Sequence, residues 1–247
     1  MTAQRTSGDS TRQEVLDAAA LLQVRRTELA TQLTEGGRAG AEVIGVGRRA
    51  VNEWMDRESG RWREHRSTRP RGLVDHLRVS LPQNRARVEA GARVTTMYNV
   101  ESLDENARLL VANETTGTYL FGVAPVQMTL VESRFVLLAG PRGSGQSVMK
   151  VTAPSCLEAA LRYWEAALRS VVPTQAVVPH LADLSPRQRQ VVALLNAGLA
   201  DDPIAATLGV SVRTVRSDVA AIMEQLGVKS RFAAGNRIRP GDEEPQP

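Results

Sequence analysis

The stretch Leu199–Arg216, LADDPIAATLGVSVRTVR, carries the signals of two helices joined by a tight turn. Asp201 and Asp202 suit the positive end of a helix dipole, so a short helix is expected to begin there. Gly209 can adopt the left-handed conformation that ends such a helix. Ser211 can then cap the helix that follows. This order of acidic start, glycine turn and serine cap predicts a helix-turn-helix.

The residues on both sides extend this pair to a bundle of three helices. Upstream, Ser185 is a natural N-cap and Pro186 fits the first helical position, before a helix that stops at Gly198. Downstream, Gly227 ends the third helix. Apolar side chains recur at helical spacing and are expected to form the core: Val191, Val192, Leu194, Leu195, Ile204, Ala205, Leu208, Val215, Val219, Ile222 and Leu226.

The third helix, at 212–226, has a polar outer face made by Arg213, Arg216, Ser217 and Ala220. Arginine side chains can bridge guanine edges or phosphates, and a helix held at this angle can enter the major groove. A three-helix bundle with solvated arginines is the simpler alternative. Such a bundle would not need the turn chemistry and this outer face together. The sequence therefore predicts double-stranded DNA as the partner.

These residues resemble the C-terminal DNA-binding domain of the LuxR family of bacterial transcription regulators. The chain departs from that family's pattern at Gln188, where Glu is usual, at Asp202-Pro203, where Lys-Glu is usual, and at Asp218, where His is usual. The pieces LADDPIAATLGVSVRTVR and SRFAAG are closer to an actinobacterial subgroup. The matching positions are Leu184, Ser185, Arg187, Val191, Gly198, Leu199, Ile204, Ala205, Leu208, Val210, Ser211, Thr214, Val215, Arg216, Leu226, Val228, Ser230 and Arg231.

The resemblance implies two kinds of DNA contact. Arg216, Ser217 and Ala220 match positions that face bases, and Ser211, Arg213 and Thr214 match positions near the phosphate backbone. It further implies a fourth helix near residues 232–238, through which two copies pair on two half-sites. The DNA-binding residues that it implies are Ser211, Arg213, Thr214, Arg216, Ser217, Ala220 and Arg231.

Composition limits the functions open to the chain of 247 residues, whose formal net charge is +4. Cys156 is the only cysteine, which excludes an internal disulfide and any cysteine-rich zinc site. His65, His76 and His180 have no metal-ligand spacing. No apolar run approaches the ~20 residues of a membrane span, and no signal core is present. We expect a cytoplasmic, nucleoid-bound protein without metal or cofactor.

The central residues alternate between helix and strand signals, which predicts a small α/β domain with a mixed sheet. Residues 81–172 are similar to the phospholipase-D-like domain that accompanies this DNA-binding domain in actinobacterial regulators. Those enzymes use a His-x-Lys-x-x-x-x-Asp motif, whereas His76 is followed by Leu77 and Arg78. We therefore expect no catalysis. Sensing or assembly is expected, with an unknown effector or partner protein, and RNA polymerase is a further candidate partner.

The predicted fold class is multidomain α+β, with N-terminal helices, a small α/β phospholipase-D-like domain and an all-α helix-turn-helix of the four-helix LuxR type. Helices are expected at Thr11–Glu35, behind a disordered start, and at Ala41–Arg61; they could form a dimerising hairpin or a lid. Arg57–Arg71 is rich in arginine, and its end at residues 68–72 is expected to be a linker. Further helices are expected at Ser102–Ala112, with Ser102 and Glu105 as a capping box, and from a Ser155 cap. The predicted divisions are 1–71, 72–172, a linker at 173–182, the DNA-binding domain at 183–240 and a tail at 241–247.

The stretch Gly140–Ser147, GPRGSGQS, raises the alternative of a nucleotide hydrolase. It matches the phosphate-loop pattern except that Gln146 replaces the lysine that neutralises phosphate charge. A strand signal follows where that loop needs a helix, so a β-hairpin is expected. Two more candidate functions are those of a phosphodiesterase and of a sigma-factor-like module. The leading prediction is a dimeric, non-enzymatic transcription regulator.

Overall fold

The protein folds into two compact units, each built from three stretches of the chain. The computed structural model describes residues 2–37, 40–141, 146–174, 184–228 and 230. The first unit comprises residues 1–71, 86–102 and 117–172, and the second comprises 72–85, 103–116 and 173–247. The helices are α1 (Thr2–Thr34), α2 (Gly47–Glu58), α3 (Val74–Glu89), α4 (Glu105–Ala112), α5 (Pro154–Arg169), α6 (Pro186–Asn196), α7 (Asp201–Leu208) and α8 (Val212–Gln225).

A mixed sheet organises the first unit, with the strand order β1-β7-β6-β5-β2-β3-β4. Strands β2, β3 and β4 run parallel to one another, and the remaining pairs are antiparallel. The mixed α+β class predicted from the sequence is confirmed at this level. The strands are β1 (Ala41–Val46), β2 (Glu64–Arg69), β3 (Arg93–Asn99), β4 (Thr118–Gly122), β5 (Met128–Val131), β6 (Phe135–Ala139) and β7 (Ser147–Val151).

Helices α1 and α5 pack together and supply much of the main core on one face of this sheet. Val15 and Leu22 are fully buried in α1, and burying each such side chain contributes about 1.5–3 kcal/mol. Arg26 interrupts the stripe of apolar residues along α1. Its guanidinium donates to the carbonyls of Ala139 at 2.8 Å and Gly140 at 3.0 Å. The helix predicted from Thr11 is present, but it begins at Thr2, so the disordered start is wrong.

The helix predicted over Ala41–Arg61 is wrong in its first part. Ala41–Val46 forms the edge strand β1, which pairs antiparallel with β7, and α2 begins only at Gly47. The Lys150 ammonium donates to the Glu42 carboxylate at 2.9 Å across this pair. A strand that depends on a partner about a hundred residues away has no local signal, and its short sequence fits a helix equally well.

The arginine-rich linker is also wrong in part, because Glu64–Arg69 forms the interior strand β2. Its sequence, EHRSTR, has no aliphatic side chain, so hydrophobic periodicity cannot identify it. Hydrogen bonds replace apolar packing here. Ser67 and Thr129 hydroxyls lie 3.0 Å apart, and the Thr68 hydroxyl donates to the Val126 carbonyl at 2.6 Å.

Three local predictions about loops and caps have different outcomes. The hairpin expected at the glycine-rich stretch is confirmed, because β6 and β7 pair antiparallel on either side of it. The capping box at Ser102 is wrong: Asp104 caps α4 and accepts the Ala107 N–H at 2.9 Å. The cap at Ser155 is also wrong, because α5 begins with Pro154 after Ala153. Residues 142–145 of the hairpin loop lie outside the described residues.

Candidate nucleic-acid interface

Helix α6 begins with the cap that the sequence predicts. The Ser185 hydroxyl accepts the Gln188 N–H at 3.3 Å, and the Gln188 side-chain oxygen accepts the Ser185 N–H at 2.8 Å. This reciprocal pair is a capping box, with Pro186 at the first helical position. Gln188, which replaces the family's usual Glu, therefore keeps the capping function through its amide oxygen.

The turn between α7 and α8 follows the predicted chemistry. Gly209 has φ of 68°, a left-handed conformation that glycine adopts without steric cost. Ser211 then caps α8 by accepting the Thr214 N–H at 3.1 Å. The Ser211 and Thr214 hydroxyls also lie within hydrogen-bond distance of each other, at 2.8 Å. These contacts confirm the helix-turn-helix.

The predicted core of the three helices is largely confirmed. Among its predicted members, Leu195, Val219 and Leu226 are only half-buried. Gln190 is an addition to the core: it is 6% exposed, and its amide donates to the Leu110 carbonyl at 3.2 Å. The predicted side chains that are buried are Val191, Val192, Leu194, Ile204, Ala205, Leu208, Val215 and Ile222.

The outer face of α8 is open to solvent. Arg213, Arg216, Ser217 and Ala220 are exposed, at spacings of three, one and three residues that place them on one helix face. At the helix N-terminus, Ser211 is exposed and Thr214 is half-buried. The structure therefore brings six of the candidate residues together, and the seventh, Arg231, lies outside the described residues.

Two ion pairs, which the sequence does not predict, hold charged side chains of this domain. The Arg216 guanidinium lies 3.2 Å from the Asp201 carboxylate, with side chains 72% and 17% exposed. Arg187 makes two contacts to Asp218, at 2.7 and 3.1 Å, and this hydrogen bonding raises the pKa of the Arg187 guanidinium. Asp218, where His is usual, therefore ties α8 to α6. Opposite charges on two helices can form ion pairs, but the spacing of residues along the sequence does not show which of these charges meet.

Helices from the middle of the chain complete the second unit. Helix α4 packs against α6. The Arg85 guanidinium donates to the Thr207 carbonyl at 2.6 Å, close to the turn. Arg85 also pairs with Glu114, whose side chain is 2% exposed. A polar cavity of about 540 Å³ lies among these elements, lined by Arg85, Asn113, Glu114, Thr115, Thr116, Ser185, Pro186, Arg187, Gln190 and Leu208.

Comparison with known families agrees with this geometry. Residues 182–235 match the model of the bacterial regulatory proteins of the luxR family. The helix-turn-helix is of the luxR type. The luxR-type domain is a DNA-binding module of transcription regulation, and it occupies about a fifth of the chain.

Further comparisons add little to the luxR-type assignment. A search of curated protein sequences finds no match to the chain. A solved structure of two RcsB dimers bound to two parallel DNAs is similar over 66% of this chain and 67% of that chain, with 20% identity and a TM-score of 0.31. A superposition this loose does not define a shared fold.

The described ranges contain neither a membrane span nor a metal cluster. No helix within them is long and apolar enough to cross a membrane. The same ranges contain no group of three or more His, Cys, Asp or Glu side chains placed to hold a metal ion.

Proposed function

We propose that the protein is a sequence-specific transcription regulator that reads the major groove of duplex DNA with α8. The observation that carries the proposal is the exposed face of Arg213, Arg216, Ser217 and Ala220 on the second helix of a luxR-type helix-turn-helix. Arginines on that face supply positive charge, which attracts phosphates. They also supply paired N–H donors, which can form two hydrogen bonds with the edge of a guanine.

The proposed roles divide between base edges and phosphates. Arg216, Ser217 and Ala220 face the bases. Ser211, Arg213 and Thr214 lie near the backbone, where a capped helix N-terminus suits a phosphate. Arg231 is proposed as a further DNA contact.

The protein is proposed to bind as a homodimer on two half-sites, through a fourth helix near 232–238. That segment lies outside the described residues, so the pairing is a proposal from the family resemblance. Two docked modules would add their phosphate contacts, and affinity would then fall steeply with salt because each contact releases counterions.

The upstream residues are proposed to form a non-catalytic sensing or assembly domain. Their resemblance to the phospholipase-D-like domain of actinobacterial regulators stays a prediction. The divisions 1–71, 72–172, 173–182, 183–240 and 241–247 likewise remain proposals. An unknown effector or partner protein and RNA polymerase are the further partners. A nucleotide- or phosphodiester-hydrolysing enzyme is the alternative from another class, and hydrolysis of ATP or of a phosphodiester substrate by the purified protein would favour it.

Genome-wide binding of the intact protein, beside an Arg213→Ala/Arg216→Ala variant, tests the proposed function. We expect discrete wild-type peaks that share a two-half-site sequence, and their loss in the variant, because both guanidinium groups of the α8 face are removed. Unchanged peaks in the variant would contradict the role of α8.

The Arg216–Asp201 ion pair gives a second prediction, tested with two matched variants. Asp201→Asn frees Arg216 for DNA phosphates, whereas Asp202→Asn removes the same charge from the neighbouring, exposed position. An exposed ion pair is worth up to about 1 kcal/mol, so Asp201→Asn should bind non-specific duplex up to about fivefold more tightly than Asp202→Asn.

Fluorescence anisotropy with a random-sequence duplex measures this difference between the two aspartate variants. Equal affinities would show that the ion pair does not restrain Arg216 in solution. Because both variants gain one unit of net charge, a general electrostatic effect cancels in the comparison.

A further inference from the structure

A row of buried hydroxyl groups crosses the sheet of the first unit. Ser67 on β2 is in register with Thr96 on β3 and with Thr129 on β5, so the three side chains share one face. They are 3%, 4% and 6% exposed. The neighbouring residues Met97 and Leu130 point to the opposite face, into the core beneath α1 and α5. A polar row at the centre of a sheet is unusual, because interior sheet faces normally bury apolar side chains.

Three basic side chains surround this row. Strand alternation places His65 and Arg69 on the same face as Ser67, one on each side of it. Arg87, at the end of α3, donates to the Ser59 hydroxyl at 3.1 and 3.3 Å. Arg69 and Arg87 are both half-buried, so each keeps a route to solvent. We call these six residues the basic basin: His65, Ser67, Arg69, Arg87, Thr96 and Thr129.

The basic basin is short of negative charge at Arg69. This residue forms no ion pair with a carboxylate among the described residues, and burial lowers the pKa of its guanidinium. The Asp56 carboxylate acts to raise the pKa of Arg87, and the Tyr98 side chain acts in the same direction on the pKa of Arg69, less strongly than burial lowers it. Desolvation, followed by the charges of Arg87 and Arg69, lowers the pKa of His65 to about 4, so the imidazole is neutral at pH 7.

His65 has an unused hydrogen-bonding atom as well. Its side chain is 5% exposed and packs against Trp62, with ring centroids 6.0 Å apart. Among the described residues, its Nδ1 atom has no hydrogen-bond partner. Packing against Trp62 would explain a buried imidazole. It would not explain a desolvated Arg69 beside Arg87, because uncompensated buried charge is costly.

The position in the sheet also favours a ligand. Arg69 is the last residue of β2, and Tyr98 beside it lies near the end of the parallel strand β3. Open α/β sheets bind their ligands beyond the carboxyl ends of parallel strands. Phosphate and carboxylate oxygens accept hydrogen bonds from hydroxyl and guanidinium groups.

We propose that the basic basin binds an oxyanion, the phosphate or carboxylate group of a small-molecule effector. The anion would supply a countercharge to Arg69 and lie within reach of the Arg87 guanidinium. It would accept hydrogen bonds from the Thr96 hydroxyl and from the one hydroxyl of the Ser67–Thr129 pair that does not donate to its partner. This site would give the upstream domain a ligand class, and it does not depend on DNA binding by α8.

Thermal unfolding and calorimetric titration of the full chain test the site, with sodium phosphate or sodium citrate against sodium chloride at matched ionic strength. Arg69→Gln removes a basin cation, and Arg71→Gln removes the same charge two residues later from an exposed position. We expect saturable binding and stabilisation by phosphate or citrate in wild type and Arg71→Gln, and neither in Arg69→Gln. In chloride, Arg69→Gln should unfold at a higher temperature than wild type, because it removes a partly desolvated guanidinium that has no carboxylate partner among the described residues.

A second variant keeps the test decisive if Arg69→Gln does not fold. Thr96→Val preserves the volume of a buried side chain but removes one donor, and should weaken the anion response about tenfold. Saturation by phosphate alone, citrate alone or both supports the site and names the oxyanion. The absence of saturable binding in wild type, or an equal response in wild type, Arg69→Gln and Thr96→Val, overturns it.

Discussion

Arg216→Ala is expected to weaken binding to a specific operator by about 1–3 kcal/mol, or roughly 5- to 150-fold, if the guanidinium reads a guanine. The fold should be preserved, because Arg216 is 72% exposed and its contact to Asp201 is a surface ion pair. The loss should be sequence-dependent. On random duplex, where the same side chain contributes only charge, the variant should lose much less affinity.

Arg216→Lys separates charge from geometry in this experiment. Lysine keeps the positive charge but cannot form the planar, paired contact to a guanine. We expect near-normal non-specific affinity with a large loss on the operator, measured by titration of both duplexes at one salt concentration. Full operator affinity in Arg216→Ala would remove the base-reading role from this residue and leave Ser217 and Ala220 to carry it.

The helix-turn-helix could be predicted from sequence because its determinants are local. Ser185 and Ser211 cap helices within four residues of themselves, and Gly209 ends α7 through its own conformation. Apolar spacing along α8 then places Arg213 and Arg216 on the outer face. Each of these inferences needs only the residues of one helix or one turn.

The sheet was harder to predict because its strands depend on distant partners. Strand β2 is polar along its length and lies in the interior of the sheet only because β3 and β5 flank it. The buried hydroxyls of Ser67 and Thr129 become a pair only through that register. No periodicity in residues 64–69 indicates a buried strand, so the sequence alone predicts an arginine-rich segment that ends in a linker.

The DNA-binding site could also be predicted only in part, because some of its contacts join distant parts of the chain. The exposed face of α8 follows from helix geometry, whereas the restraint of Arg216 by Asp201 depends on how α7 and α8 cross. The packing of α4 against α6 joins residues some eighty positions apart, as the Gln190–Leu110 hydrogen bond illustrates. Contacts of that range are set by the whole unit rather than by any motif.

Glu114→Ala is expected to destabilise the second unit by about 3–5 kcal/mol, because it leaves Arg85 without its buried partner. Glu114 accepts hydrogen bonds from Arg85 and from the Thr116 N–H, the latter at 3.0 Å. The loss should appear as faster hydrogen exchange in α6, α7 and α8. Asp75→Ala is the control in the same unit: its contact to Arg78 is 3.6 Å long with the Asp75 side chain 85% exposed, and less than about 1 kcal/mol is expected.

Replacing both members of the buried pair separates charge from packing. Arg85→Met/Glu114→Leu removes the two charges together, so most of the lost stability should return, since no uncompensated ion remains. The Thr207 carbonyl would still lack its 2.6 Å donor, so recovery should be incomplete near the turn. If Glu114→Ala leaves hydrogen exchange in α6–α8 unchanged, the helix-turn-helix is stable without the ion pair. If exchange accelerates and operator affinity falls in parallel, residues 72–85 and 103–116 belong to the DNA-binding module as much as the helices that touch DNA.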